Sequence, residues 1–369
     1  MQSNDLPVLR WGIIATGQIS SWFVRDLSLS RQDAKAIHII QAIGSSTEQK
    51  GLKFVETYIP RVSPPPKVYA SYEAVYADPH VDIIYIGTPN ALHKQNCLDA
   101  IKHGKHVLCE KAFAVTSQEA KEVFDSARER GVFVMEAMWT RFFPLVQTLQ
   151  RLVHEEKVIG DVHRVFCDLG LDMDLATLKP ESRLRSRALG AGTLLDICIY
   201  SLTWGILMLD PRLGEDAEKP RVIAAQTLSE DDEIDTATSV LLHYPSTGKQ
   251  GILTSTCMAK TPHTFCRIEG TKGYVTVDGV SASAPSAFTY YLKTPEEQSV
   301  AGSPILIKRY EVEHEGFGLF WEADAVAIDI AACKTENGIM PWGETVRVME
   351  MMDEVRRQGG ARFPQDDNK

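Results

Sequence analysis

The sequence has no Cys-x-x-Cys pair, no surplus of basic residues, no Asn-x-Ser/Thr sequon and no apolar run comfortably long enough to cross a bilayer. Each absence removes a class. The seven cysteines (Cys97, Cys109, Cys167, Cys198, Cys257, Cys266 and Cys333) are odd in number and widely scattered. That argues against a disulfide framework or a zinc knuckle and fits free thiols in a reducing compartment. With 39 basic against 49 acidic side chains and a formal net charge of -10, the chain lacks the Lys and Arg surplus that holds nucleic acid or anionic lipid. Neither partner is expected. The most apolar stretch, Leu194 to Leu209, contains Asp196 and Gly205 and is short for a membrane span. The first residues include Asp5 and Pro7 and no apolar signal region, so a cytoplasmic location is expected. Tyr-x-x-x-Lys, the P-loop, Gly-x-Ser-x-Gly and His-Glu-x-x-His are all missing. No metal is expected.

What is present is an ordinary globular composition, 44% hydrophobic and 24% charged over 369 residues, which predicts two domains. From Val8 to Ala137, short β-branched runs alternate with amphipathic helical stretches. That rhythm predicts a doubly wound parallel sheet. Continuous apolar strands such as Ile83-Ile84-Tyr85-Ile86 fit burial on both faces. Beyond Met138 the pattern changes. Helical Pro144–Glu156, a strand near Val162–Leu169 and strongly helical Gly192–Leu209 precede strand-like runs from Val222 to Val312 with no helices between them. Phe320–Lys334 and Glu344–Gln358 close the chain as helices, and Lys219-Pro220, Ser281–Pro285 and Thr294–Pro304 read as loops. The expected class is α/β plus α+β: a doubly wound parallel-sheet domain, then a domain whose successive strands form a mainly antiparallel sheet.

The first strand runs directly into Ala15-Thr16-Gly17-Gln18-Ile19-Ser20. A strand end meeting a helix start is where backbone N–H groups and the helix dipole hold a pyrophosphate. Against Gly-x-Gly-x-x-Gly the chain offers Ala15, Gly17 and Ser20, keeping only the central glycine, the one that lets backbone approach phosphate. As a lone motif this is weak; the further strand–helix units strengthen it. The second strand ends Ile43-Gly44-Ser45-Ser46-Thr47, with no carboxylate before Glu48. NAD binders place an acid there for the ribose 2′-hydroxyl. Hydroxyls of Ser45 and Ser46 with Lys50 nearby suit a 2′-phosphate instead, although any of Ser45, Ser46 or Thr47 would also cap a helix. The cofactor expected is NADP.

The fifth strand ends Cys109-Glu110-Lys111-Ala112, which places Lys111 at the carboxyl edge of the sheet, with Glu110 tending to keep its ammonium charged. Thr88-Pro89-Asn90 and His93 follow the fourth strand at the same edge. Together with Arg10-Trp11-Gly12-Ile13, these pieces resemble the glucose–fructose oxidoreductase/inositol dehydrogenase/MocA (GFO/IDH/MocA) family. Within it, Met135 to Pro144, Leu194 to Tyr200 and Phe363 to Asp366 are similar to the dimeric dihydrodiol dehydrogenases, and Leu169 to Trp204 resembles the fungal NADP-dependent D-xylose 1-dehydrogenases of that branch. The resemblance implies a dinucleotide-binding Rossmann domain over 1–138, a substrate-binding and dimerisation domain over 139–369 on a large open sheet supporting a homodimer, and a site where nicotinamide meets an aldose or vicinal diol. It maps the family's lysine to Lys111, and an Asp and Tyr four residues apart to Asp196 and Tyr200. Ala112 stands where the family usually has proline, and Ala15 where it has glycine.

The residues themselves agree. Asp196 and Tyr200 at i and i+4 emerge on one helix face. Oxidising an alcohol needs a base, and a tyrosine beside a cation has its phenolate favoured. Tyr200 is the expected acid/base, Lys111 its partner and a substrate contact, and Asp196 the orienting group. An equally serious version gives the proton to Lys111. Asn90, His93, Trp139 and Arg141 are placed with the cofactor, with a surface histidine at a helix start as an equal reading of His93, and Trp139 and Phe142 with the substrate, Trp139 through sugar stacking, although core packing is the ordinary fate of such aromatics. Arg183, Arg185 and Arg187 form a basic loop that either reaches cofactor phosphate or is solvated. A reductase of a specialised ketone or imine, and a non-catalytic NADP sensor, remain alternatives.

Overall fold

Alternating strands and amphipathic helices must bury both faces of a sheet, and the amino-terminal half of the chain does so. The structure is a computed structural model describing residues 6–60, 62–293 and 305–367; the loop expected at Thr294–Pro304 lies outside them. The chain divides into two units, residues 1–139 with 314–345 and residues 140–313 with 346–369.

In the first unit the order is β1 (Val8–Ile14), α1 (Gln18–Leu27), β2 (Ile37–Gly44), α2 (Glu48–Tyr58), β3 (Lys67–Tyr69), α3 (Tyr72–Tyr76), β4 (Ile83–Ile86), α4 (His93–Lys102), β5 (His106–Glu110), α5 (Ser117–Arg130) and β6 (Val134–Ala137). The strands form a 6-stranded sheet in the order β3-β2-β1-β4-β5-β6, parallel throughout. Strand order reverses between β1 and β4, so a crevice opens at their carboxyl ends, where open α/β sheets bind ligands. Every residue of β4 and β6 is buried, as strands covered on both faces must be. Phe23 of α1 stacks on Tyr85 at 3.9 Å and meets Trp11 edge-on at 5.1 Å, which seats α1 on the sheet. The short β3, just beyond the Pro64-Pro65-Pro66 run, has no periodic signal of its own.

The second unit opens with α6 (Pro144–Gln150), β7 (Val162–Gly170) and α7 (Ile199–Leu209). Seven more strands follow: β8 (Arg221–Leu228), β9 (Asp235–His243), β10 (Gln250–Thr256), β11 (Thr264–Gly270), β12 (Gly273–Ser281), β13 (Ala284–Leu292) and β14 (Ile305–Glu311). They build an 8-stranded sheet, β14-β13-β12-β11-β7-β10-β9-β8, antiparallel except where β7 and β10 run parallel. All of α7 is buried. It lies close on the sheet: a Cβ on Gly205 would stand 2.5 Å from Leu253 Cδ1. Both expected helices here carry π turns, at Arg151–Glu155 and Leu194–Cys198, which a 3.6-residue period does not disclose. Strand β13 runs through what the sequence suggests is loop. Pro285 is admitted because the pairing register shifts beside it, between Asp278 and Gly279.

The chain closes with α8 (Phe320–Ala331) and α9 (Trp342–Gly359). Residues 314–345 belong with the first unit, which corrects the expected 139–369 assignment. Two buried aspartates hold them there. Asp26 accepts from the backbone N–H of Phe317 and Leu319 at 2.9 and 2.8 Å. Asp324 of α8 bonds Arg31 at 2.8 Å and His38 Nε2 at 3.0 Å, while His38 Nδ1 accepts from the Trp11 indole at 3.1 Å. These partners are nearly 300 residues apart in sequence, so no local pattern announces them.

Candidate active site

The cofactor half is assembled from strand ends. Strand β1 stops at Ile14, and Ala15 turns in the left-handed region at φ 68, its amide bonded to Gly44 O at 3.1 Å. Glycine, the residue that the resemblance places at this position, adopts that conformation more readily than alanine. Gly17 is exposed, with nothing within 4 Å of where a Cβ would stand, and no side chain caps α1 behind it. An open helix N-terminus bordered by Thr16, Gln18 and Ile19 fits a pyrophosphate. At the end of β2, Thr47 caps α2 by accepting from Lys50 N at 3.2 Å. Ser46 is therefore released from capping; it is exposed, and Lys50 Nζ donates to its hydroxyl at 3.1 Å. Ser45 is buried, its hydroxyl 3.5 Å from that of Thr16. It forms the floor of this corner rather than the exposed phosphate ligand expected.

At β4 and β5 the expectations divide. Lys111 follows β5 directly and is half-buried. The Lys111–Ala112 peptide is cis, and Ala112 is buried. His93 is fully buried, not a surface contact for the nicotinamide ribose: Nδ1 lies 2.9 Å from Ala112 O and Nε2 2.8 Å from Thr88 O. Burial pushes its ring below the usual imidazole range, against the two carbonyls that favour the protonated form. His93 thus ties the ends of β4 and β5 together. Thr88 is buried too, its hydroxyl accepting from Asn96 Nδ2 at 3.0 Å, whereas Asn90 is half-buried at the start of a short 3-10 turn. Glu110 faces the interior and accepts from the Tyr85 hydroxyl at 2.6 Å, so it is not a cofactor-facing group.

Trp139, Arg141 and Phe142, expected to line cofactor and substrate, are 3%, 0% and 6% exposed. Their apolar area has gone into the core, the usual fate of large rings and arginine stems. They offer little surface to a ligand.

The second unit contributes one helix. Asp196 sits inside the π turn, Tyr200 in the first turn of α7, and the pair keeps one face because four residues close nearly a full turn in either geometry. Tyr200 is buried and Asp196 is half-buried, its Oδ1 3.4 Å from Arg183 Nη1. Arg185 pairs with Asp232 at 2.7 Å and Arg187 with Glu233. None of the three arginines is merely solvated. Sequence reasoning missed Asp235. It is buried on β9 and accepts from Thr193 Oγ1 and Leu194 N, both at 2.7 Å, at the start of the Asp196 helix. Only a buried acid at a strand start hinted at it.

Comparison with known proteins accounts for these parts together. Residues 9–138 match the family model described as oxidoreductase family, NAD-binding Rossmann fold, and residues 146–276 match the GFO/IDH/MocA C-terminal domain. A D-xylose 1-dehydrogenase (NADP(+)) of Hypocrea jecorina is 33% identical across 99% of this chain and 95% of its own length. A trans-1,2-dihydrobenzene-1,2-diol dehydrogenase of Xenopus laevis is 31% identical across 96% and 99%. In fold, the chain is similar to the aldose-aldose oxidoreductase of Caulobacter crescentus, with TM-score 0.76, 21% identity, and 95% and 97% of the two chains covered. Two domain models in tandem and relatives aligned nearly end to end leave one assignment: the chain belongs to the GFO/IDH/MocA family, an oxidoreductase with an NAD(P)-binding Rossmann domain.

Proposed function

We propose that the protein is an NADP-dependent dehydrogenase acting on a CH–OH of a sugar or vicinal diol, with the anomeric carbon of D-xylose first among substrates and a trans-dihydrodiol second. The observation that carries the reading is the joint presence of Lys111 at the carboxyl edge of β5 and the Asp196/Tyr200 pair on one helix face. They stand in a chain aligned nearly end to end with D-xylose and dihydrodiol dehydrogenases. NADP is favoured by exposed Ser46 and Lys50 at the end of β2, with no carboxylate before Glu48.

The cofactor's nicotinamide, when bound, supplies the acceptor for the hydride leaving the substrate carbon. The chain's own residues handle the proton. As the C–H electron pair departs, the hydroxyl proton passes to the Tyr200 oxygen acting as base, and the C=O forms. Lys111 donates to the same substrate oxygen, and takes the proton itself in the alternative assignment. Asp196, charged beside Arg183, orients the amine or the sugar hydroxyls.

The same reading makes the protein a cytoplasmic homodimer joined through the face of the second sheet that α7 leaves open. Ile223, Leu241, Ile252 and Phe166 lie in one paired row there, none of them fully buried. Free thiols suit a reducing compartment. The test is steady-state turnover with NADP and NAD against a panel of aldoses and dihydrodiols, run in both directions. NADP-dependent oxidation of D-xylose or a diol supports the reading; binding of NADP with no turnover of any panel member refutes it.

A further inference from the structure

The helix bearing Asp196 and Tyr200 does not cap itself. Thr193 stands at its N-cap position yet makes no side-chain cap. Its hydroxyl points away to Asp235 Oδ2 at 2.7 Å, and the N–H of Leu194, one of the donors a helix start leaves unpaired, goes to the same oxygen at 2.7 Å. Thr238 adds a third donor at 2.8 Å. The other oxygen of Asp235 abuts Gly192: a Cβ at that glycine, whose φ is 136, would overlap it. The carbonyl of Gly192 in turn receives the amide of Asp196 at 3.2 Å. A single carboxylate on β9, 2% exposed, therefore touches residues 192, 193 and 194, the segment from which the π turn and Asp196 spring.

Resting on the dehydrogenase reading, we propose that Asp235 is a positioning residue for the reaction, fixing the start of the π turn so that Asp196 and Tyr200 meet the substrate in register. Burial pushes its pKa upward while the three donors pull it down, so the site is built around an acceptor. An amide oxygen could face the three donors now on Oδ2, but it would be an uncharged and weaker acceptor, and its NH2 group would stand where Oδ1 abuts Gly192. Aspartate, not asparagine, is the residue that fits.

The experiment compares wild type, Asp235→Asn and Thr193→Val. Turnover is measured with the panel substrate that wild type oxidises, protiated and deuterated at the reacting carbon, alongside NADP affinity and amide hydrogen exchange over residues 192–200. Asp235→Asn is expected to lower kcat on the order of 10-fold or more, since a small misplacement of reacting groups is costly. The deuterium isotope effect on kcat should rise as hydride transfer becomes limiting, NADP affinity should hold, and exchange at 194–198 should quicken. Thr193→Val should move each readout the same way by less. A merely structural role lowers the folded fraction and leaves the isotope effect alone; that result, or wild-type turnover in Asp235→Asn, overturns the proposal. Should Asp235→Asn fail to fold, Thr193→Val decides, and an unchanged isotope effect there counts against it. A wild type that oxidises no panel member removes the dehydrogenase reading itself, an outcome recorded before either variant is assayed.

Discussion

The two units present their candidate functional residues in opposite ways. In the first, the critical positions are where strands stop: Ala15 after β1, Ser46 after β2, Asn90 after β4 and Lys111 after β5. A parallel sheet delivers all its carboxyl ends to one edge, so a pattern of strands suffices to gather them. In the second, both residues come from one helix, whose placement depends on a carboxylate some 40 positions later in the chain, Asp235. Gathering by topology tolerates local change, as Ala15 and Ala112 show by standing where the family usually has glycine and proline. Gathering by one side chain does not.

That contrast can be broken at several points. The largest effect is expected at Lys111: Lys111→Met should lower kcat by roughly 10³-fold, inside the range for losing a positioned donor to the oxygen on which charge develops, with NADP affinity retained. Near-normal turnover would remove the lysine from the chemistry. Tyr200→Phe removes only a hydroxyl from the buried helix and should cost about 10²-fold in kcat, with NADP affinity retained. If Tyr200→Phe were silent and Lys111→Met severe, the lysine would be the proton acceptor.

A smaller and selective change is expected at the β2 end. Lys50→Ala should weaken NADP about tenfold, the loss of one charged hydrogen bond, while leaving NAD binding alone. Ser46→Asp should shift preference toward NAD. Equal effects on both cofactors, read by titration, would clear this corner of the 2′-phosphate.

Buried acids sharpen the comparison further. Asp235 has three donors, whereas both oxygens of Glu322 on α8 are buried and have no hydrogen-bond partner among the described residues. Burial, reinforced by nearby Glu110 and Asp26, pushes the Glu322 carboxyl well above the usual range. The folded state then holds a proton that the unfolded chain releases. Wild type should therefore lose stability as pH rises from the ordinary carboxylate range toward the folded-state pKa, at up to ~1.4 kcal/mol per pH unit. Glu322→Gln cannot ionise, so its advantage over wild type should be near zero at about pH 4, below the unfolded-state pKa, and grow as pH rises. Urea unfolding at pH 5 and pH 8 checks the sign; a constant difference would mean Glu322 is already ionised. The smallest effect is expected from Ala15→Gly. Relief of the left-handed strain, ~1–2 kcal/mol, is largely offset by the entropy of an added glycine, leaving a net change within about 1 kcal/mol.

Legibility followed the same division. The strands from β1 to β6, apart from the three-residue β3, were readable because apolar β-branched runs and helical periodicity are local signals, and Lys111 was readable because it closes one of those runs. His93 was placed with the cofactor, or else at the surface, because nothing in a helix-start histidine tells that both its nitrogens meet backbone carbonyls of two strand ends. Trp139, Arg141 and Phe142 were misread for a related reason: an aromatic cluster at a strand end has the same sequence whether it faces a ligand or the core.

Sequence alone determined the Rossmann pattern, the turn at Ala15–Ile19, the lysine at the β5 edge and the Asp196/Tyr200 spacing, since each rests on residues within a turn or two of one another. Tertiary structure alone decided that residues 314–345 return to the first unit through Asp26 and Asp324, that the Asp196 helix begins with a π turn, and that Asp235 holds its first residues. Those outcomes turn on which buried carboxylate finds which distant donor, and a buried charge must find one somewhere in the folded chain.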